Sequence, residues 1–286
     1  IIDPNSQHLK ITHLHETFRY PLTDLLIPFS NLENRFGCRH MAASVRFDEE
    51  QLQTCQEKKR LILDEEVLDF DYLLVASGCE SRATEHHADV LDLQDFTTSP
   101  GSELLAQFIN NHNQSDQSIS VVGGGATGIQ FLFEIKQFLS RTKSKTELRL
   151  IHSGEQVLEQ FPEGFNAYVQ SRMHDMNIAF YPNTYYRGQQ SGTILLTEKQ
   201  TEKQFELSSS MSILFLGKKQ QRMFPANAFG QVIANKKSLQ NIFAAGDCSY
   251  YQSLGSNTLT AQSAVRKGKL AARNILRHSG FLGLLE

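Results

Sequence analysis

The stretch "VVGGGATGIQFLFEI", residues 121–135, decides how this chain is read. An apolar, β-branched run enters a cluster of glycines and leaves as a helix-like segment, and Gly123, Gly125 and Gly128 satisfy the spacing G-x-G-x-x-G. In that pattern the first glycine permits a tight turn. The second lets backbone approach a pyrophosphate, and the third allows close helix–strand packing. Phosphates would sit at the helix start, where unpaired N–H groups and the helix dipole favour negative charge.

Working outward, "SISVV" (118–122) and "ELRLI" (147–151) are strand candidates, and "GIQFLFEIKQFLSR" (128–141), apolar nearly all round, is a helix buried on more than one side. Together they make one βαβ unit. Apolar runs stopped by glycine recur at "FDYLLVASG" (70–78), "SILFLG" (212–217) and "NIFAAGD" (241–247). The alternation indicates an α/β protein. A last helix within 258–275 places Ala261, Ala264, Val265, Ala271, Ala272 and Ile275 near helical spacing, with its basic residues expected on other faces. The polar run "NNHNQSDQS" (110–118) reads as a linker entering the βαβ unit.

Composition narrows the function classes. The 286 residues carry 40% hydrophobic and 21% charged side chains, enough for one large or two medium domains. A formal charge of −3 makes no case for nucleic acid, and the short basic runs Lys58-Lys59-Arg60 and Lys218-Lys219 are expected on solvated faces. Cys38, Cys55, Cys79 and Cys248 include no C-x-x-C pair. This argues against a zinc site and a redox dithiol, and a reducing, cytoplasmic setting fits best. His8, His13, His15, His86 and His87 lack a matching ligand set, so no metal is expected. No run has transmembrane length.

After the second strand, a Rossmann-type site usually places an acid on the adenosine ribose. Here that position is His152, followed by Ser153, which leaves NADH against NADPH open. Further on, Gly246 removes bulk where a ligand could approach, and Asp247 could accept hydrogen bonds from the ribityl hydroxyls of a flavin. Thr258 or Thr260 could cap the final helix, whose start would then face the flavin ring.

Three motifs in order, "DYLLVASG", "VVGGGATG" and "IFAAGD", resemble those of the pyridine nucleotide–disulfide oxidoreductase superfamily. With "IIDPNSQHLKITHLHE" at the start and "TAQSA" in the last helix, the chain is most similar to its type II NADH:quinone oxidoreductases. The resemblance implies a three-layer α/β architecture with two Rossmann-like domains. An NAD(P)H domain of about 116–213 would be inserted in a discontinuous FAD domain made of 1–115 and 214–286. It also implies that Asp3 contacts the FAD adenosine ribose, that Gly78, Gly246 and Asp247 line the flavin site, and that Ala261 and Gln262 lie at the isoalloxazine. Gly123, Gly125 and Gly128, with His152 at the ribose position, would hold NADH or NADPH.

The implied reaction is hydride transfer from NAD(P)H to FAD and onward to a quinone or similar acceptor. The same resemblance leaves room for a homodimer and for peripheral membrane contact of the full-length protein. The alternatives are a flavoprotein reductase with a soluble acceptor, or a degenerate non-catalytic nucleotide-binding module. The missing dithiol speaks against a disulfide reductase. Three positions depart from the family pattern. Gln130 stands for a glutamate (Glu134 matches its second acid), Arg266-Lys267 displace a glutamine, and His152 replaces the acid. Glu16 matches a family glutamate near the flavin. The first FAD glycine loop, expected before Asp3, is not present, and the family's C-terminal region is not seen after Glu286, so the chain is expected to be a fragment.

Overall fold

The computed structural model describes residues 1–45, 47–63, 66–79, 82, 89–111, 117–218, 224–252 and 257–281. His86 and His87 lie outside them. The chain divides into two compact units. One comprises Ile1–Ser6, Pro28–Glu80 and Lys218–Glu286, the other Gln7–Ile27 and Ser81–Gly217.

The second unit is built on a five-stranded sheet in the order Val90–Asp92, Met211–Leu214, Ser118–Val122, Glu147–Ile151, Ala179–Tyr181. Every neighbouring pair is parallel. The central strand Ser118–Val122 is buried at all its positions, its two serines included, as in a strand covered on both faces. The helix Ala126–Arg141 buries Gly128, Ile129, Phe131, Leu132, Glu134, Ile135, Phe138 and Leu139. Its exposed residues are Thr127, Gln130, Gln137, Ser140 and Arg141. An antiparallel meander, Thr184–Gln190, Thr193–Glu198 and Gln204–Ser208, precedes the returning strand Met211–Leu214.

Two stretches expected in the flavin domain, 7–27 and 89–111, belong to this second unit. The reason is aromatic packing across long sequence separations. Phe18 on the 3-10 helix Ile11–Phe18 meets Phe96, Phe131 and Phe138 at ring-centroid distances of 6.0–6.1 Å. Phe131 in turn lies 4.7 Å from both Phe96 and Phe215. Two polar bonds fix the same segment, Gly101 N–H to Thr17 Oγ1 at 2.9 Å and Arg141 Nη2 to the Phe18 carbonyl at 3.0 Å. The run expected as a linker is not one at its described ends. Asn110 and Asn111 finish the helix Gly101–Asn111, Gln117 and Ser118 are buried, and 112–116 lie outside the described residues.

The first unit carries a mixed five-stranded sheet in the order Ser249–Tyr251, Phe224–Ala226, Gln231–Ala234, Lys237–Ala244, Leu73–Val75. Lys237–Ala244 and Leu73–Val75 run parallel, with Ala244 opposite Val75. Its core gathers Leu52, Leu61, Leu63, Val75, Val232 and Ile242. The helix Glu49–Lys58 starts at a capping box, in which Asp48 takes the Gln51 N–H and Gln51 takes the Asp48 N–H. The final helix Ala261–His278 is capped by Thr260, one of the two threonines expected there, whose hydroxyl accepts the Ser263 N–H at 3.2 Å.

That helix buries only part of the expected face and adds polar residues to it. Val265 is 55% exposed and Ala261 and Ala272 face solvent, whereas Lys267, Ala271 and Asn274 are buried. Lys267 tolerates this because its ammonium donates to the Ser249 carbonyl at 2.7 Å and lies 5.4 Å from the Tyr251 ring centre. Asn274 donates to the Phe229 carbonyl at 2.8 Å. Apolar periodicity counts side chains by type and misses a lysine whose charge is met inside.

Candidate functional site

The glycine turn of the second unit joins Ser118–Val122 to Ala126–Arg141. Gly123 has φ +114°, a conformation open to glycine, and a side chain there would run into the Phe215 carbonyl. A methyl on Gly128 would fall on the Gly123 carbonyl, so the helix can approach the turn only without one. Gly125 differs. Its φ of −78° suits any residue, and an added methyl would meet no atom within 4 Å. Packing thus demands glycine at the first and third positions but not at the second, which faces open space at the helix start.

His152 ends the neighbouring strand and folds back onto this turn. The Gly124 N–H donates to His152 Nδ1 at 3.1 Å, and a methyl on Gly124 would lie 2.8 Å from the ring. Burial holds the imidazole below its ordinary pKa, against the upward pull of the Glu159 carboxylate and a Gln156 backbone contact. Because the Gly124 N–H points at it, Nδ1 is the acceptor nitrogen of the neutral ring. The sequence left no acid at the strand tip, yet two charged groups reach it in the fold. Glu159 packs its carboxylate against Gly154, and Lys199 Nζ lies 3.4 Å from the Ser153 carbonyl. No local spacing signals either one.

In the first unit, two glycines with left-handed backbones mark the corner expected to hold the flavin. Gly78 has φ +69° and follows Leu73–Val75, and Gly246 has φ +74° and follows Lys237–Ala244. The C-terminal ends of adjacent parallel strands are where open α/β sheets hold ligands. An added methyl on Gly78 would meet nothing within 4 Å, and one on Gly246 would find only Ala264 Cβ, at 3.9 Å. Asp247 turns its carboxylate here, ion-paired with Lys218 and accepting from Cys79 Sγ at 3.6 Å. Lys218 is therefore no solvated charge. Burial works against its ammonium, but pairing with Asp247 prevails and its pKa is raised. Burial pushes the Cys79 thiol up, against the pull of Lys218. These residues fit a polar, hydroxyl-bearing ligand with room for its backbone-side approach.

The other expected site residues have local partners of their own or are exposed. Asp3 holds its own turn, its Oδ1 accepting the Asn5 N–H at 2.8 Å and Asn5 Nδ2 at 3.0 Å. Ala261 and Gln262 open the last helix and are exposed. Glu16 lies in the second unit, paired with His13 Nδ1 at 3.2 Å, which lowers its pKa. Gln130 faces solvent, whereas Glu134 is buried and paired with Arg19 Nη2 at 2.9 Å. All four cysteines are free. Among the described residues, no group of three or more His, Cys, Asp or Glu could hold a metal ion, and no helix is long and apolar enough to cross a membrane.

Comparison with known proteins bears on the fold and the family. The type II NADH:quinone oxidoreductase of Staphylococcus epidermidis is 27% identical over 313 aligned residues, which cover 97% of this chain and 74% of that protein. Among solved structures, NDH2 from Plasmodium falciparum in complex with NADH matches with a TM-score of 0.70 at 16% identity, over 88% of this chain. The matched part is 59% of that structure's chain. The sulfide:quinone oxidoreductase of Aquifex aeolicus matches with a TM-score of 0.74 at 11% identity, over 99% of this chain and 70% of its own. The fold is thus that of two-domain dinucleotide-dependent oxidoreductases. Residues 19–268 match the family model described as pyridine nucleotide-disulphide oxidoreductase, and the chain belongs to that family.

Proposed function

We propose that this protein oxidises NADH or NADPH through bound FAD and passes the electrons to a quinone or similar acceptor. The observation that carries the reading is the middle glycine of the turn. Gly125 is required neither by its backbone angle nor by any neighbour, so its lack of a side chain serves a ligand rather than the fold. A pyrophosphate seated at the start of Ala126–Arg141 uses that space and the free amides of the helix's first turn.

In the first unit, Gly78 and Gly246 leave room for the flavin, and Asp247 accepts hydrogen bonds from its ribityl hydroxyls, sharing its carboxylate with Lys218. Ala261 and Gln262 present the amides of a helix start to the ring, and Asp3, whose Oδ1 already accepts from Asn5, is assigned to the adenosine end by its place in the resembling motif alone. Bound flavin supplies the hydride acceptor; the residues bind and orient it and hold charge in place. A dithiol route is set aside. Cys79 faces Asp247, and Cys248 donates to the Ala245 carbonyl at 3.2 Å.

An absorption spectrum of the purified protein tests this, taken before and after NADH and then NADPH, with a quinone added last. Flavin bands bleached by a dinucleotide and restored by quinone support the reading. Restoration only by a soluble protein or small-molecule acceptor supports the reductase alternative. Protein without flavin bands, with no thermal shift on adding FAD, would make it a non-catalytic nucleotide-binding module.

A further inference from the structure

This inference rests on the nicotinamide dinucleotide reading of the glycine turn and concerns the adenosine end of that ligand. A Rossmann-type site selects NADH by a carboxylate at the tip of its second strand, which accepts both ribose hydroxyls and repels a 2′-phosphate. At that tip this chain has His152, whose Nδ1 is already occupied by the Gly124 amide.

The fold delivers a carboxylate to the same place from further along the loop. Leu158 is buried and has φ +55°, a left-handed backbone that a branched side chain adopts only when its surroundings impose it. The constraint is visible, since the Leu158 N–H donates to the Gly124 carbonyl at 2.8 Å and the Leu158 carbonyl accepts the Phe161 N–H at 2.8 Å. Val157 is buried completely. Glu159, the next residue after Leu158, is therefore carried by a loop bolted to the glycine turn itself.

Its carboxylate contacts Gly154. A methyl on Gly154 would fall on Glu159 Oε1 and lie 2.8 Å from His152 Nε2, so the glycine makes room for both side chains at the strand tip. Lys199 is the competing group, a cation that would favour a 2′-phosphate. It reaches the tip only as an exposed side chain, 3.4 Å from the Ser153 carbonyl. Glu159 has the anchored loop and the direct contact.

We propose that Glu159 replaces the missing acid at position 152, accepting the 2′- and 3′-hydroxyls of the adenosine ribose and making the protein selective for NADH over NADPH.

The test is a set of dissociation constants for NADH, NADPH and ADP-ribose, measured calorimetrically on the purified protein and on Glu159→Gln and Lys199→Ala. Each variant's melting temperature is recorded alongside, and ADP-ribose reports on the adenosine end without redox chemistry. The wild type should bind NADH about tenfold or more tightly than NADPH. Glu159→Gln should lose about tenfold in NADH and ADP-ribose affinity and most of the discrimination, as befits hydrogen bonds to a charged acceptor. Lys199→Ala should leave the preference in place. An unchanged NADH:NADPH ratio in Glu159→Gln overturns the proposal. So does a wild type that prefers NADPH and loses that preference in Lys199→Ala. Binding of neither dinucleotide by the wild type overturns the underlying reading together with it, whereas tight NADH binding indifferent to Glu159 overturns this proposal alone.

Discussion

The Gly124 amide donates a hydrogen bond to His152 Nδ1 at 3.1 Å, which ties the turn after one parallel strand to the tip of the next. The bond exists only while the imidazole is neutral, and burial keeps it so by lowering the His152 pKa.

A pH dependence follows from that bond. The folded state takes up the His152 proton less readily than the unfolded chain, whose histidine titrates at about 6.5. The contribution to stability is therefore complete above that unfolded value and is lost as pH falls through the lower folded one. Burial lowers the pKa of His15 as well, adding a slope of the same sign. Melting temperatures recorded from pH 8 to pH 5 should fall, and His152→Gln should flatten the fall, with His15→Gln removing a further part. A slope unaltered by His152→Gln would show that the bond to Gly124 does not set it.

The glycine turn predicts opposite outcomes for two like substitutions. Gly128→Ala forces a methyl onto the Gly123 carbonyl and should cost about 1–3 kcal/mol of stability. Gly125→Ala meets nothing within 4 Å at an ordinary φ, so stability should stay within about 0.5 kcal/mol of the wild type. Its dinucleotide affinity should nonetheless drop about tenfold or more, as the approach of the pyrophosphate is blocked. Urea unfolding and calorimetric titration of the two variants separate the effects.

Glu134 is buried with Oε1 on Arg19 and Oε2 without a hydrogen-bond partner. Removing the cation leaves a buried carboxylate alone. Arg19→Met should lose about 2 kcal/mol, the cost of breaking a buried pair reduced because the Arg19 side chain is 36% exposed. Adding Glu134→Leu should recover most of that loss. Failure of the second substitution to recover stability would mean that the arginine acts through its packing.

Lys267 should behave as a buried spacer with a satisfied charge. Lys267→Ala empties the space beneath Tyr251 and strips the Ser249 carbonyl, for a loss of about 3 kcal/mol. Lys267→Met keeps the stem and loses only the polar contact, about 1 kcal/mol. Equal losses in the two variants, measured by denaturant unfolding, would place the energy in the ammonium instead.

Much of this was legible from local sequence. The strands Ser118–Val122 and Glu147–Ile151 coincide with the apolar runs read at those positions, and the intervening helix begins at Ala126, two residues ahead of the run that marked it. Glycine spacing located the turn because tight turns and close helix approach are met or failed within six residues. The final helix was legible as a helix but not in its orientation, since Lys267 and Asn274 are paid for by carbonyls of Ser249 and Phe229 that lie far away in sequence. The same holds for Lys218, which leaves an apparently solvated run to pair with Asp247.

The sequence by itself determined the α/β class, the βαβ unit and its glycine turn, because backbone preference, apolar period and turn chemistry act between near neighbours. Only the tertiary structure decided that residues 7–27 join the second unit, that His152 folds onto Gly124, and that Glu159 and Lys199 both reach one strand tip. Those relationships depend on chain segments meeting through long-range closure, where the packing of Phe18 against Phe131 or the strain held at Leu158 selects the partner. No local pattern records which charge arrives.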